Sequence, residues 1–154
     1  MGWLSSLRRR AVRLRALNVM QWRAMGASLV LVPAVQIALR RRGFLSTARY
    51  LGKRSDRPSV APDLEASRRL SEAVAIIAGR RVVGAPCLSR SLVVWFLLRR
   101  HGIDAEVVIG AEPAAGGVLP AHAWVEVDGV AVNDVPTVRD RYGSFGVKLP
   151  RLGG

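Results

Sequence analysis

Apolar residues recur at helical spacing near the start of the chain, where Leu4, Leu7, Ala11, Leu14 and Leu17 form a stripe beside Arg8, Arg9, Arg10, Arg13 and Arg15. This pattern predicts a basic amphipathic helix. A second apolar stretch, Ala24 to Leu39, carries no charge but contains Gly26, Ser28, Pro33 and Gln36. It falls short of the roughly 20 residues that cross a bilayer, so a buried or partner-facing helix is expected there in preference to peripheral membrane contact. Arg40, Arg41 and Arg42 stand where a signal peptide would need small residues. The expectation is a soluble, cytoplasmic protein.

Further along, Ala61 to Ile77 is rich in helix formers, with Asp63 and Glu65 at its start, where the helix dipole favours acids. Gly84-Ala85-Pro86 then reads as a turn. A helix is predicted from Cys87 to Arg100, with His101-Gly102 as its stop. After Ala105 the period changes to that of strands: Glu106 to Ile109, His122 to Val127 and Val130 to Asp134, with a Pro-, Ala- and Gly-rich loop over residues 111–120. Asp128-Gly129 between two alternating runs is a hairpin signal. The fold class is α+β, with helices preceding a small antiparallel sheet.

Charge divides the chain. Residues 1–57 hold 13 of the 24 lysines and arginines and a single acid, Asp56, whereas residues 58–154 hold 11 basic and 10 acidic residues. This predicts a basic helical N-terminal arm over 1–57 and a nearly neutral domain over 58–154, joined by the polar stretch from Gly52 to Ser59. The arm has no zinc-finger or RNA-binding signature, so no specific nucleic-acid partner is expected. One cysteine and two histidines exclude a disulfide framework and leave too few soft ligands for structural zinc. Nucleotide-binding glycine motifs are absent. No metal or cofactor is expected.

The candidate chemistry centres on Cys87. A cysteine at a helix N-terminus lies beside unpaired N–H groups that favour negative charge on sulfur and can hold an oxyanion. The competing reading is that a lone cysteine is simply packed in the core. His122, at the start of a strand, supplies a candidate base, and such a base needs an acceptor on its other ring nitrogen. If the hairpin loop is Val127-Asp128-Gly129, Trp124 faces Val132 and His122 faces Asp134, within reach of a hydrogen bond. A two-residue Asp-Gly loop would instead set Asp134 opposite Ala123, so the three-residue loop, which gives the base its acceptor, is the one expected. Other residues have blander readings. Asn133 lies on the opposite face from His122, His101 caps a helix, Asp128 belongs to the turn, and Asp104 belongs to the helix–strand connection. Ser89 and Ser91 lack a nucleophile motif, while Trp95, Phe96, Leu97 and Leu98 are core. Trp124 shares the His122 face, where it either shields the pair or fills space.

At these residues the sequence resembles the transglutaminase-like cysteine peptidase superfamily. The likeness lies in Cys87 opening a helix, His122-Ala-Trp-Val-Glu-Val127 and Asp134-Val-Pro-Thr137. More narrowly, Pro86 to Leu92, Leu98 to Ile103, Val107 to Gly110 and Ala121 to Gly129 are similar to the leader peptidases of lasso-peptide biosynthesis, in their stand-alone form. The resemblance covers residues 61–137 and implies a papain/transglutaminase-like core. It implies Cys87 as nucleophile, His122 as general base and acid, and Asp134 as orienter, with no side-chain oxyanion donor assignable. The implied reaction cleaves a ribosomally made precursor peptide between leader and core, freeing the core N-terminus for a separate ATP-dependent lasso cyclase. With no room for a fused recognition domain ahead of the arm, a separate leader-binding recognition-element protein is the expected partner. Two other readings stay open: a transglutaminase-type acyltransferase, and a non-catalytic basic adaptor for an acidic peptide or membrane surface.

Overall fold

The computed structural model describes residues 19–79, 86–111 and 121–144. The expected helix over Leu4 to Leu17, the Gly84-Ala85 turn and most of the 111–120 loop lie outside these residues. Three helices come first: α1 (Val19–Ser55), α2 (Leu64–Ala78) and α3 (Cys87–Arg100). The strands β1 (Glu106–Ala111), β2 (Ala121–Val127) and β3 (Val130–Ala131) follow, then a single turn of helix, α4 (Val138–Arg141), and β4 (Gly143–Ser144). The strands form one antiparallel sheet in the order β3-β2-β1-β4.

Helix α1 extends through the uncharged stretch in both directions and carries Pro33 inside it. It is interrupted at Gly43, whose φ of 74° is non-helical. Its last turn takes in Gly52 and Ser55, both buried, so half of the expected linker is helical. The remaining connection is pinned down. The Val60 N–H donates to the Gly102 carbonyl at 2.9 Å, and Asp56 accepts from Arg99 at 3.4 Å. Helix α2 starts three residues later than the pattern suggests, because Asp63 is its N-cap and accepts from the Ala66 N–H at 2.9 Å.

Helix α3 has the predicted bounds, and it is the central element. It packs on α1, on α2 and on β2, and Leu92, Val93, Val94 and Leu98 are fully buried. Trp95 is also in this core, its indole N–H donating to the Ala105 carbonyl at 2.9 Å. His101 caps the helix as expected. Burial, reinforced by the Arg23 and Arg100 guanidinium groups, lowers its pKa.

Strand alternation divides the apolar side chains between the two faces of the sheet. Val107, Val125 and Val127 join the main core with α1, α2 and α3. Val108, Trp124 and Ala131 form a second, smaller core with Val138, against which Tyr142 packs.

This second core leaves no space at Gly110. A Cβ there would lie 2.9 Å and 3.0 Å from atoms of the Trp124 ring and 3.0 Å from the Tyr142 Cβ. Gly110→Ala should therefore destabilise the protein by about 1–3 kcal/mol, the usual cost of overpacking a filled site. A lowered urea midpoint with an unchanged slope is the expected result; an unchanged midpoint would show that the two rings yield without cost.

Candidate active site

The site begins with the β2–β3 turn. Asp128 and Gly129 both have positive φ, 51° and 74°, as a two-residue type I′ loop requires. The register follows, with Val127 opposite Val130 and Glu126 opposite Ala131. The expected three-residue loop is thus corrected, along with the pairing of Trp124 with Val132 and of His122 with Asp134 across a regular ladder. The type I′ turn matches the twist of the flanking strands and needs no bulge.

His122 and Asp134 nevertheless meet, because the ladder is broken before it reaches them. The Val132 N–H donates to the Val125 carbonyl at 3.0 Å. The Val125 N–H, however, donates to the side-chain Oδ1 of Asn133 at 2.7 Å. A side-chain amide stands in for strand backbone, and the chain leaves the sheet at that point. Asn133 is tied down further by donating from Nδ2 to the Ser91 Oγ at 3.0 Å, while that hydroxyl donates to the Ala123 carbonyl at 2.9 Å. Released from the register, Asp134 comes to the end of β2, where its Oδ2 lies 2.6 Å from His122 Nε2. Its Oδ1 accepts from the Val135 N–H at 2.8 Å, and an Arg90 guanidinium nitrogen lies 4.0 Å from Oδ2. The carboxylate is thereby fixed on both oxygens.

The imidazole is held in plane by aromatic rings. Tyr142 stacks on it with centroids 4.9 Å apart, and Trp124, on the same strand face, lies at 6.2 Å. Gly110 is the β1 residue opposite His122, and its missing side chain is what lets these rings close in. Behind them, Glu126 is buried and accepts from the Trp124 indole at 2.7 Å and from both arms of the Arg139 guanidinium. This hydrogen-bonded pairing raises the Arg139 pKa and anchors α4, from which Tyr142 follows directly.

Cys87 is the first residue of α3 and is half-buried. The N-cap is Pro86, and no side chain caps the helix, so the first-turn amides are left to other acceptors. On a helix surface Cys87 neighbours Arg90 and Ser91. Arg90 reaches towards Asp134 and Ser91 bonds the carbonyl next to His122. The structure brings His122 and Asp134 into direct contact and sets Cys87 one turn from the residues that join α3 to them. Among the described residues the sulfur makes no hydrogen bond to the imidazole.

Asp134 occupies Nε2, so Nδ1 is the nitrogen left to exchange a proton with a thiol. Sequence reasoning did not reach Asn133 and Ser91 as the fastening of the bend, or Glu126, Arg139 and Tyr142 as the support of the ring. A charged residue at a buried strand position, as Glu126 is, was the one local sign that a partner had to exist.

The microcin J25-processing protein McjB of Escherichia coli is 34% identical to this chain over 68 residues. That match covers 44% of this chain and 31% of the relative, so the chain spans under a third of the curated protein it matches. No solved structure matches significantly. The transglutaminase-like superfamily matches residues 28–146, which takes in Cys87, His122, Asp134, most of α1, all of α2 and α3, and the sheet. The chain belongs to the transglutaminase-like superfamily.

Proposed function

We propose that the protein is a cysteine peptidase that cleaves the leader from a ribosomally made lasso-peptide precursor. The observation that carries this reading is the 2.6 Å hydrogen bond between His122 Nε2 and Asp134 Oδ2, beside the helix that opens with the single cysteine. The likeness to a microcin-processing protein supports the substrate class.

In this mechanism His122 Nδ1 takes the Cys87 proton and the sulfur attacks the scissile carbonyl. Charge then develops on the carbonyl oxygen, and the uncapped first-turn amides of α3 are its donors. Asp134 holds the ring in the tautomer with hydrogen on Nε2 and stabilises the imidazolium. When the tetrahedral intermediate collapses, the peptide C–N bond breaks. The imidazolium gives its proton to the departing amine, which is the N-terminus of the core. The leader remains as a thioester on Cys87. Water, deprotonated by the same imidazole, attacks that thioester, and the leader leaves as a carboxylic acid while the thiol is restored. The freed amine is the nucleophile that a separate ATP-dependent cyclase needs to close a macrolactam. A leader-binding recognition-element protein presents the precursor, and the reaction takes place in the cytoplasm.

Cys87→Ala should abolish leader release while keeping the parent's circular dichroism, and iodoacetamide should add one alkyl group, at Cys87, and block turnover. Mass spectrometry of the precursor reads both results; normal cleavage by the alanine variant would remove Cys87 from the reaction. Product masses also separate hydrolysis from transfer to an amine.

Asp134→Asn should lower kcat by about 100-fold or more, because the amide favours the wrong imidazole tautomer. KM should change little. A variant with full kcat would reduce Asp134 to a structural residue of the bend.

The Arg-rich residues 1–18 are read as a docking segment for the precursor or its presenting partner. Removing them should raise KM and leave kcat at saturating precursor close to the parent value. Raising the salt should reproduce part of that rise, since attraction between exposed charges is screened over about 8 Å at physiological ionic strength. Unchanged KM and unchanged salt dependence would exclude the role.

A further inference from the structure

Helix α1 has two apolar faces, and among the described residues only one of them is covered. Ala24, Met25, Ser28, Val32 and Val35 are buried against the rest of the fold. On the other side Trp22, Leu29, Val30 and Ile37 are 51%, 51%, 69% and 53% exposed. Every exposed position between Arg23 and Arg40, namely Gly26, Leu29, Val30, Ala34 and Ile37, lacks a polar side chain, and Gln36 in the same stretch is half-buried. From Trp22 to Ile37 this strip runs for about 23 Å along the helix. Exposed arginines close it at both ends: Arg23 at one, Arg40, Arg41 and Arg42 at the other. Arg40 lies about five whole turns from Trp22, and Arg41 the same from Arg23, so these cations share the strip's side of the helix.

Charge decides what can cover the strip. The segment Val19–Ser55 contains no acidic residue. A parallel pair of such helices would set Arg23 against Arg23 and Arg40 to Arg42 against their copies. An antiparallel pair would set Arg23 against Arg40 and Arg41. Both forms of self-association therefore bring like charges together with no acid to relieve them. A protein partner would be expected to find hydrogen-bonding groups, roughly one bond per 100–200 Å² of interface, and the exposed strip offers none between its terminal arginines. A bilayer surface requires no such groups. It offers an acyl boundary for the apolar side chains, a headgroup layer for an aromatic ring at the rim, and phosphates for the arginines.

By length and composition α1 could also cross a membrane, with a window of mean hydropathy 1.4 of which 28% is buried. Crossing would strip the buried face from α2 and α3, to which α1 is packed along its length. Lying in the interface keeps that packing. We propose that the exposed face of α1, from Trp22 to Ile37 with its flanking arginines, binds the surface of anionic phospholipid membranes, with the helix in the plane of the interface and the catalytic domain outside the bilayer.

This can be tested without any measurement of activity. The full chain is sedimented with vesicles of phosphatidylcholine alone and of phosphatidylcholine mixed with phosphatidylglycerol. The expected result is recovery with the anionic vesicles, weakened as salt is raised, and little recovery with the neutral ones. Leu29→Glu combined with Ile37→Glu should lower the partition onto anionic vesicles by about ten-fold or more. Leu29→Ser with Ile37→Ser should lower it less, and provides a second variant if the glutamates disturb folding, as judged by thermal melting. Any of four outcomes would overturn the proposal. Both folded variants could partition like the parent, which would assign binding to another segment. The parent could fail to bind, or bind neutral vesicles equally. The free protein could sediment as a dimer that these variants dissolve, which would assign the strip to self-association.

Discussion

An antiparallel hairpin with a two-residue turn has a fixed register, and in that register Asp134 would stand opposite Ala123 rather than His122. The site depends on the interaction that interrupts this ladder. Asn133 accepts the Val125 N–H with its side chain, at 2.7 Å, and so ends strand pairing two residues after β3. The bend is then fastened to α3 through Ser91, whose hydroxyl also holds the Ala123 carbonyl. One serine thus ties the helix to β2 and to the bend at once. These bonds are buried or half-buried, where leaving either partner unpaired is costly, so the position of Asp134 is set by the fold and not by a flexible loop.

A second network acts on the ring itself. Glu126 is a carboxylate at a buried strand position, and it is neutralised by a fork-shaped Arg139 and bonded by the Trp124 indole. This ties together a strand residue, an aromatic wall and the short helix that leads to Tyr142. His122 therefore has its plane set by Tyr142 and its tautomer by Asp134. The same packing demands a residue without a side chain at Gly110, directly across the sheet. Positioning of the imidazole is distributed over two strands, the bend after β3 and α4, while Cys87 is positioned by the start of α3 alone.

The long helix α1 adds a different constraint. Its buried face completes the main core with α2 and α3, so the basic half of the chain is structurally continuous with the neutral half from residue 19 onwards. Its outer face remains apolar and is edged with arginines. The candidate site and this outer surface are carried by different elements, the site by α3 and the sheet and the surface by α1. A change on the outer face of α1 therefore leaves the groups of the candidate site untouched.

The sequence by itself determined the helix that carries Cys87, bounded by Pro86 and His101-Gly102, and the Asp128-Gly129 hairpin, because these features are encoded by residues a few positions apart. It also singled out Cys87, His122 and Asp134 as candidates, through types and order that few other residues in this chain could supply. It did not decide how His122 and Asp134 meet. Two- and three-residue loops satisfy the same alternation of apolar positions, and the outcome rests on Asn133 reaching Ser91, 42 residues away. Arg139 and Tyr142 were equally hidden, since their place is set by Glu126 and Gly110, to which no local pattern connects them. Turns and caps are local energies and can be read locally. The direction in which a strand end turns, and the plane in which a ring is held, are fixed by contacts that exist only once the helix has packed on the sheet.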